Sequence, residues 1–295
     1  MSTGGGLLPN SARILLFQGW CAAPRRAATL VSELGSPSRV VFGQADRASD
    51  RIAQTNVDCP VPNPQVSNSP KIDLPPAAPV QAPPKLVTFD WGGVILRHCR
   101  SWAEACQHVG ISVREGMDDP ELQALRRKIN QEFQCGRMSE ADFFPAISRA
   151  TLDLYSPDEV RTIHCGWLLR EYHGVADVIE SLNNRRGVET ALLSNTNAAH
   201  WRRHLSTGFK PADFPTIGLI KHKHASHLLG HAKPGVEIYR AFEKAVGMSG
   251  SDILFFDDLP ENILIARELG WRAELIDHTR ETKPQLLDKL ALVGL

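Results

Sequence analysis

Net charge is the first thing this chain lacks. Lys and Arg together number 33 and Asp and Glu 33, so no global field invites nucleic acid or an acidic partner. It also lacks an apolar run long enough to span a bilayer, and no membrane partner is expected. Cysteines are sparse: six in 295 residues, at 21, 59, 99, 106, 135 and 165, with no CxxC pair among them. That scatter shows neither a zinc ribbon nor a dithiol redox motif. It fits free thiols in a reducing compartment, and a cytoplasmic location is expected.

What is present is a core-forming composition. Hydrophobic residues make up 42%, and the length suits one large or two modest domains. Residues 1–84 stand apart, being rich in Pro, Ser, Ala, Gly and Asn with little periodicity. The piece "NPQVSNSPKIDLPPAAPVQAPP" reads as an extended Pro-rich linker. The piece "ARILLFQGWCAAPRRAATLVSELG", arginine-bearing with one acid, Glu33, leaves organelle targeting or export open as the alternative to a disordered extension.

From Lys85 short apolar runs alternate with amphipathic segments. Strands are expected at Leu86–Phe89, Glu189–Leu193, Ile217–Ile220, Ile253–Phe256 and Ala273–Ile276. Helices are expected at Val175–Asn183, Gly235–Val246 and Glu261–Leu269. The alternation implies an α/β fold, a Rossmann-like parallel sheet with its ligand site at the carboxyl ends of the strands. No convincing strand falls between His98 and Gly174. Helices are expected there at Trp102–Val109, Pro120–Phe133, Ser139–Leu154 and Pro157–Tyr172, with Ser139/Asp142 and Ser156-Pro157 as start signals. The expected organisation is a core of 85–98 and 174–295 with a helical cap, 99–173, inserted after the first strand as a lid over the strand ends.

Four segments at strand ends carry polar chemistry: "FDWGG" with Asp90, "ALLSNTN" with Ser194 and Asn195, "LLGHAKPGVEIY" with Lys233, and "ILFFDDLPEN" with Asp257 and Asp258. Singly, a Ser-Asn pair is a helix cap and a Lys-Pro is a solvated helix start. The adjacent acids are harder to set aside. If Asp90 lies beside them, repulsion is about 4 kcal/mol per close pair at an effective dielectric of 20. A lysine and a divalent cation remove that penalty, and hard oxygen ligands favour Mg²⁺. Combined, the segments make a phosphate site. Asp90 attacks phosphorus, while backbone N–H groups near Trp91 and Gly92 and the Ser194 hydroxyl hold phosphoryl oxygens. Lys233 and Mg²⁺ neutralise the group in transfer.

The order Asp90, Ser194, Lys233, Asp257/Asp258 resembles the haloacid dehalogenase-like (HAD) hydrolase superfamily from about Lys85 to the C-terminus. The motifs "FDWGGVIL", "LLSNTN" and "FFDDLPENI" are most similar to its small-capped sugar-phosphate phosphatase branch, which includes bacterial α-glucose-1-phosphate phosphatases. The phosphatase domain of bifunctional epoxide hydrolases is a neighbour of that branch. The resemblance implies that Asp90 is the nucleophile, Asp258 the metal-binding acid, and Ser194 and Lys233 the phosphate ligands. It implies metal contacts from Asp90 and the Gly92 carbonyl, with Asp257 acting one step removed, behind the ligands or through water. Trp91, Gly92 and Asn195 complete the expected contacts to a small phosphorylated substrate.

The departure is Gly92. The superfamily's usual phosphatase pattern has Asp there, whose carboxyl protonates the leaving group, and such help is typically worth about 10²–10⁴ in rate. Three readings follow. The first is a phosphatase whose substrates, such as sugar 1-phosphates, need little leaving-group protonation. The second is a carbon–phosphorus or carbon–halogen hydrolase. Of these, phosphonoacetaldehyde hydrolases need a cap lysine, and only Lys128 lies in this cap. The third is a catalytically weak or inactive binding protein. His231 is the candidate to replace the missing acid. The histidines at 222, 224, 227 and 231 read as a polar loop, with a transition-metal site as the alternative. "RRK" at 126–128 and "WRRH" at 201–204 read as solvated helix faces. Substrate identity and oligomeric state are not legible.

Overall fold

A computed structural model describes residues 82–117 and 119–295 of the chain. The extension expected over 1–84 lies, apart from its last three residues, outside them.

Five short parallel strands form the sheet, in the order β5–β4–β1–β6–β7: β1 (Leu86–Phe89), β4 (Glu189–Ser194), β5 (His222–Ala225), β6 (Ile253–Asp257) and β7 (Arg272–Leu275). A separate antiparallel ribbon pairs β2 (Leu96–His98) with β3 (Leu168–Glu171). Between the ribbon strands run α1 (Trp102–Val109), α2 (Pro120–Gln134), α3 (Glu140–Arg149) and α4 (Pro157–Cys165). The remaining helices are α5 (Val175–Asn183), α6 (Ala198–Trp201), α7 (Ser226–Leu229), α8 (Val236–Val246), α9 (Pro260–Glu268) and α10 (Thr282–Leu292).

Successive side chains of a strand point to opposite faces, and that alternation builds two cores from one sheet. Val87, Phe89, Leu192, Leu254 and Phe256 pack on one face with Val178 and Ile179 of α5 and Leu286 of α10. Leu86, Ala191, Leu193, Ile253 and Phe255 pack on the other with Tyr239 and Phe242 of α8 and Ile263 of α9. Each buried Val, Leu, Ile or Phe side chain among these is worth about 1.5–3 kcal/mol. The four helices between β2 and β3 enclose a third cluster, centred on Phe133, Phe143, Phe144 and Tyr155, in which Phe133 and Phe143 stack at 4.0 Å. Their starts are capped as the sequence signals: the Ser139 hydroxyl accepts from the Asp142 N–H, and Ser156 and Glu159 close a reciprocal capping box.

Three expectations are corrected. Ile217–Ile220 is not a strand; Pro215–Leu219 forms a short 3-10 turn, with Ile217 buried, and the sheet edge is the polar run His222–Ala225. The helix expected over Ser139–Leu154 stops at Arg149, because Leu152 and Asp153 turn the chain with positive φ and Ser148 bonds across the turn to the Tyr155 carbonyl. The helix expected over Pro157–Tyr172 stops at Cys165, and Leu168–Glu171 is a strand inside the range assigned to the cap. That strand carries the chain back beside β2, so both connections to the cap pass through one ribbon. No helix among the described residues is long and apolar enough to cross a membrane. Cys99, Cys106 and Cys135 are free thiols.

Candidate active site

Asp90 follows β1 directly and extends its ladder, its N–H donating to the Phe256 carbonyl at 2.8 Å. The side chain turns back: Oδ1 accepts from the Trp91 N–H at 2.7 Å and lies 3.1 Å from the Lys233 ammonium. The Ser194 hydroxyl, at the end of β4, bonds the same carboxyl. Burial pushes the Asp90 carboxyl above the ordinary carboxylate range, against the pull of Lys233.

Lys233 is buried, with its ammonium set between Asp90 and Asp257 (2.7 Å) and donating also to the Leu193 carbonyl at 2.9 Å. Its backbone is clamped by Asn195, whose side-chain amide donates to the Lys233 carbonyl at 2.8 Å and accepts from its N–H at 2.9 Å. The Asn195 side chain therefore holds the lysine. The peptide bond from Lys233 to Pro234 is cis.

The two adjacent acids have different tasks. Asp257 is fully buried and both its oxygens are engaged, Oδ2 by Lys233 and Oδ1 by the Leu259 N–H and the Asn262 amide, each at 2.9 Å. It fixes the lysine and the start of α9. Asp258 faces the cavity, where Arg100 reaches Oδ2 at 2.7 Å and His278 lies at 3.4 Å. Burial raises the carboxyls of both, with Lys233 opposing at Asp257 and Arg100 at Asp258. Gly93, at φ +77°, passes so close that any Cβ there would run into the Asp258 carboxyl. Asp90, Asp257 and Asp258 bring carboxylate oxygens within 4.8 Å of one another, as the sequence reading required.

Above this floor lies a cavity of about 910 Å³ between sheet ends and cap. Asp90, Trp91, Gly92, Ser194, Asn195 and Asp258 reach it from below, and Trp102, Phe143, Trp167 and one face of α2 from above. The Trp91 ring is buried, edge-on to Trp201, His204 and Phe214, so it packs within the core. "WRRH" is corrected too. His204 is buried, and Arg203 bonds Asp213 at 2.9 Å and the Cys165 carbonyl at 2.6 Å. Arg126 likewise ties the Ala150 and Met117 carbonyls together. Lys128 is exposed and does not line the cavity. The loop histidines disperse: His222 pairs with Glu189, His224 lies against Phe242, and His227 meets the Thr196 carbonyl. Among the described residues only the three aspartates form a cluster suited to a metal ion.

Sequence reasoning missed three residues of the site: His98, Arg100 and His278. The first two lie where β2 runs into the cap. The only local signal was Gly92-Gly93, a request for close approach that does not say what approaches.

Residues 84–270 match the family model of haloacid dehalogenase-like hydrolases. The D-ribitol-5-phosphate phosphatase of Bacteroides thetaiotaomicron is 28% identical over 205 residues, which cover 65% of this chain and 96% of that protein. A phosphatase of Mycobacterium tuberculosis is 31% identical over 110 residues, 37% of this chain and about half (48%) of that protein. A solved HAD-family enzyme of Bacteroides thetaiotaomicron, in complex with magnesium and inorganic phosphate, shares the fold at a TM-score of 0.52 and 22% identity, over 65% of this chain and 93% of that one.

Proposed function

The chain belongs to the haloacid dehalogenase-like hydrolase family, and we propose that it is a Mg²⁺-dependent phosphatase of small phosphate monoesters, sugar phosphates foremost, acting through an aspartyl-phosphate on Asp90. The observation that carries this reading is the buried ammonium of Lys233 set between Asp257 and Asp90, the latter lining a cavity together with Asp258. A carboxylate held by a cation and an N–H at the closed end of a cavity is placed to attack an entering anion.

The donor set suits Mg²⁺: the Asp90 and Asp258 carboxylates with the Gly92 carbonyl are hard oxygens in the place where negative charge is concentrated. When bound, the ion supplies positive charge to the phosphoryl group in transfer. The chain's own residues do the rest. Lys233 and Ser194 orient the phosphoryl oxygens and lower the repulsion between the entering dianion and Asp90. Asn195 and Asp257 hold the lysine in place. The cap roofs the cavity and limits the access of bulk water to the intermediate. Two relatives are phosphatases, one acting on ribitol 5-phosphate, and the HAD-fold neighbour binds magnesium and phosphate, which supports the same class here. The carbon–phosphorus alternative loses ground, because no cap lysine reaches the cavity to form a Schiff base.

The test is phosphate release by the full chain with Mg²⁺ across sugar phosphates, ribitol 5-phosphate, nucleotides and p-nitrophenyl phosphate. Asp90→Asn and an EDTA sample run alongside. Activity lost in both, by roughly 10⁴-fold or more for the variant, is the expected result. Activity that survives Asp90→Asn removes the nucleophile assignment. Silence across the panel by a folded protein favours the binding-protein reading.

A further inference from the structure

The gap left by Gly92 is filled from elsewhere in the chain. A Cβ built on Gly92 would lie 2.8 Å from Cδ2 and 2.9 Å from Nε2 of His98, so the imidazole stands where a side chain at position 92 would begin. His98 is the last residue of β2, and the β2–β3 register slips between Arg97 and His98. An irregularity of that kind re-aims a side chain, and here the ring lines the same cavity as Asp90, Ser194 and Asp258. The ring's orientation is set by its other nitrogen. Nδ1 lies 2.8 Å from the Cys99 carbonyl, which can only accept, so Nδ1 carries the proton. Nε2 is then an acceptor, and no described group bonds it.

We infer that His98, standing in the gap at position 92, positions water there: its Nε2 accepts the hydrogen bond of the water that hydrolyses the Asp90 phosphoryl ester. The inference rests on the phosphatase reading. In the step it serves, the water oxygen bonds to phosphorus as the bond from phosphorus to the Asp90 carboxylate oxygen breaks. Asp90 regains its carboxylate, and the water's protons leave on dihydrogen phosphate, so atoms and charge balance. Phosphoryl transfer is loose in character and asks little proton removal of its base, which makes a fixed acceptor sufficient. No acid is thereby supplied to the first step, and substrates with good leaving groups are the ones this site favours.

p-Nitrophenyl phosphate isolates the second step, because its leaving group departs unprotonated. The full chain with Mg²⁺ is mixed rapidly with it, and both the burst of p-nitrophenol and the steady rate are recorded. The proteins compared are wild type, His98→Ala, His98→Gln, Gly92→Asp and the double variant Gly92→Asp/His98→Ala. His98→Ala should lower the steady rate by roughly 10²-fold while keeping a burst of one equivalent, because the phosphoenzyme forms and then waits. His98→Gln, which returns an acceptor near Nε2, should recover part of the rate, and it carries the test if the alanine variant fails to fold. Gly92→Asp alone should be impaired, because its side chain meets the ring. The double variant should exceed His98→Ala by about tenfold or more, because a carboxylate then stands in the vacated space. A wild-type steady rate in His98→Ala, or a double variant no faster than His98→Ala, overturns the role. A wild type with no Asp90-dependent turnover of any phosphate ester removes the phosphatase reading itself, and this role with it.

Discussion

The floor and the roof of the cavity are built on opposite terms. On the floor each functional group is held by others: Lys233 by two aspartates and the Asn195 clamp, Asp257 by three donors, Asp90 by Trp91, Ser194 and Lys233. On the roof the polar face of α2, Gln123, Arg127, Asn130 and Gln134, repeats at helical spacing and points into the cavity, and its one internal contact, Arg127 to Gln123, is long at 3.5 Å. Preorganised groups do chemistry with little reorganisation, and uncommitted ones adapt to what enters. On the proposed function, the difference assigns reaction type to the sheet ends and selectivity to the cap.

The largest break in that comparison comes from the floor. Lys233→Met leaves two buried carboxylates without their cation. Stability should fall by about 3–5 kcal/mol in denaturant titrations, and turnover of p-nitrophenyl phosphate by roughly 10²–10³-fold. Loss of turnover with stability intact would mean that the lysine serves substrate alone. Next is Arg100, which belongs to the connection between the two regions and engages Asp258 at 2.7 Å. Its guanidinium engages a carboxylate proposed to hold Mg²⁺, so Arg100→Gln should tighten Mg²⁺ binding about tenfold by calorimetry, the equivalent of one charge-assisted hydrogen bond. Equal or weaker binding would show that Arg100 does not compete with the ion.

The same division explains what was legible in the sequence. Asp90, Ser194, Lys233 and Asp258 sit directly after apolar runs, or before Pro and a helix, so local pattern placed them at strand ends, and strand ends converge in a parallel sheet. β1 was readable to the residue because four consecutive buried residues stop at a carboxylate. The edge strand β5 was not. His222–Ala225 is polar and pairs with β4 alone, while the apolar run preceding it, around Ile217, suits a buried turn as well as a strand. β3 and His98 were hidden for a shared reason. Each acquires its role from a partner about 70 residues away or from the path of a neighbouring loop, and no periodicity encodes that.

Where roof and floor meet, His164 of α4 stacks on His200 of α6 at 4.0 Å and 11°, and the His164 carbonyl lies 2.8 Å from Nε2 of His200. Burial holds both below the ordinary histidine range, His164 at about 4, so the fold favours the neutral rings. A depressed histidine contributes its stability in full above its unfolded value of 6.5 and loses it as pH falls toward 4. Acid should therefore loosen this junction. Thermal melts from pH 7 to pH 4.5 should show a fall that His164→Phe, which keeps a stacked ring, reduces by roughly 5 °C. An identical pH slope in the variant would place the acid sensitivity elsewhere.

The smallest effect sharpens the comparison most. Gln123→Ala and Asn130→Ala each remove one uncommitted group from the roof and touch nothing that holds the floor. A hydrogen bond to substrate is worth about 0.5–1.5 kcal/mol, so KM for the preferred sugar phosphate should rise roughly 2- to 10-fold. The kcat value and melting temperature should stay at wild-type level, because a contact made equally in ground and transition states changes KM alone. p-Nitrophenyl phosphate, short and without hydroxyls, gives the control: its KM should not move. If kcat falls instead while KM holds, the α2 face contributes to the chemical step, and the division between a reactive floor and a selecting roof fails at that helix.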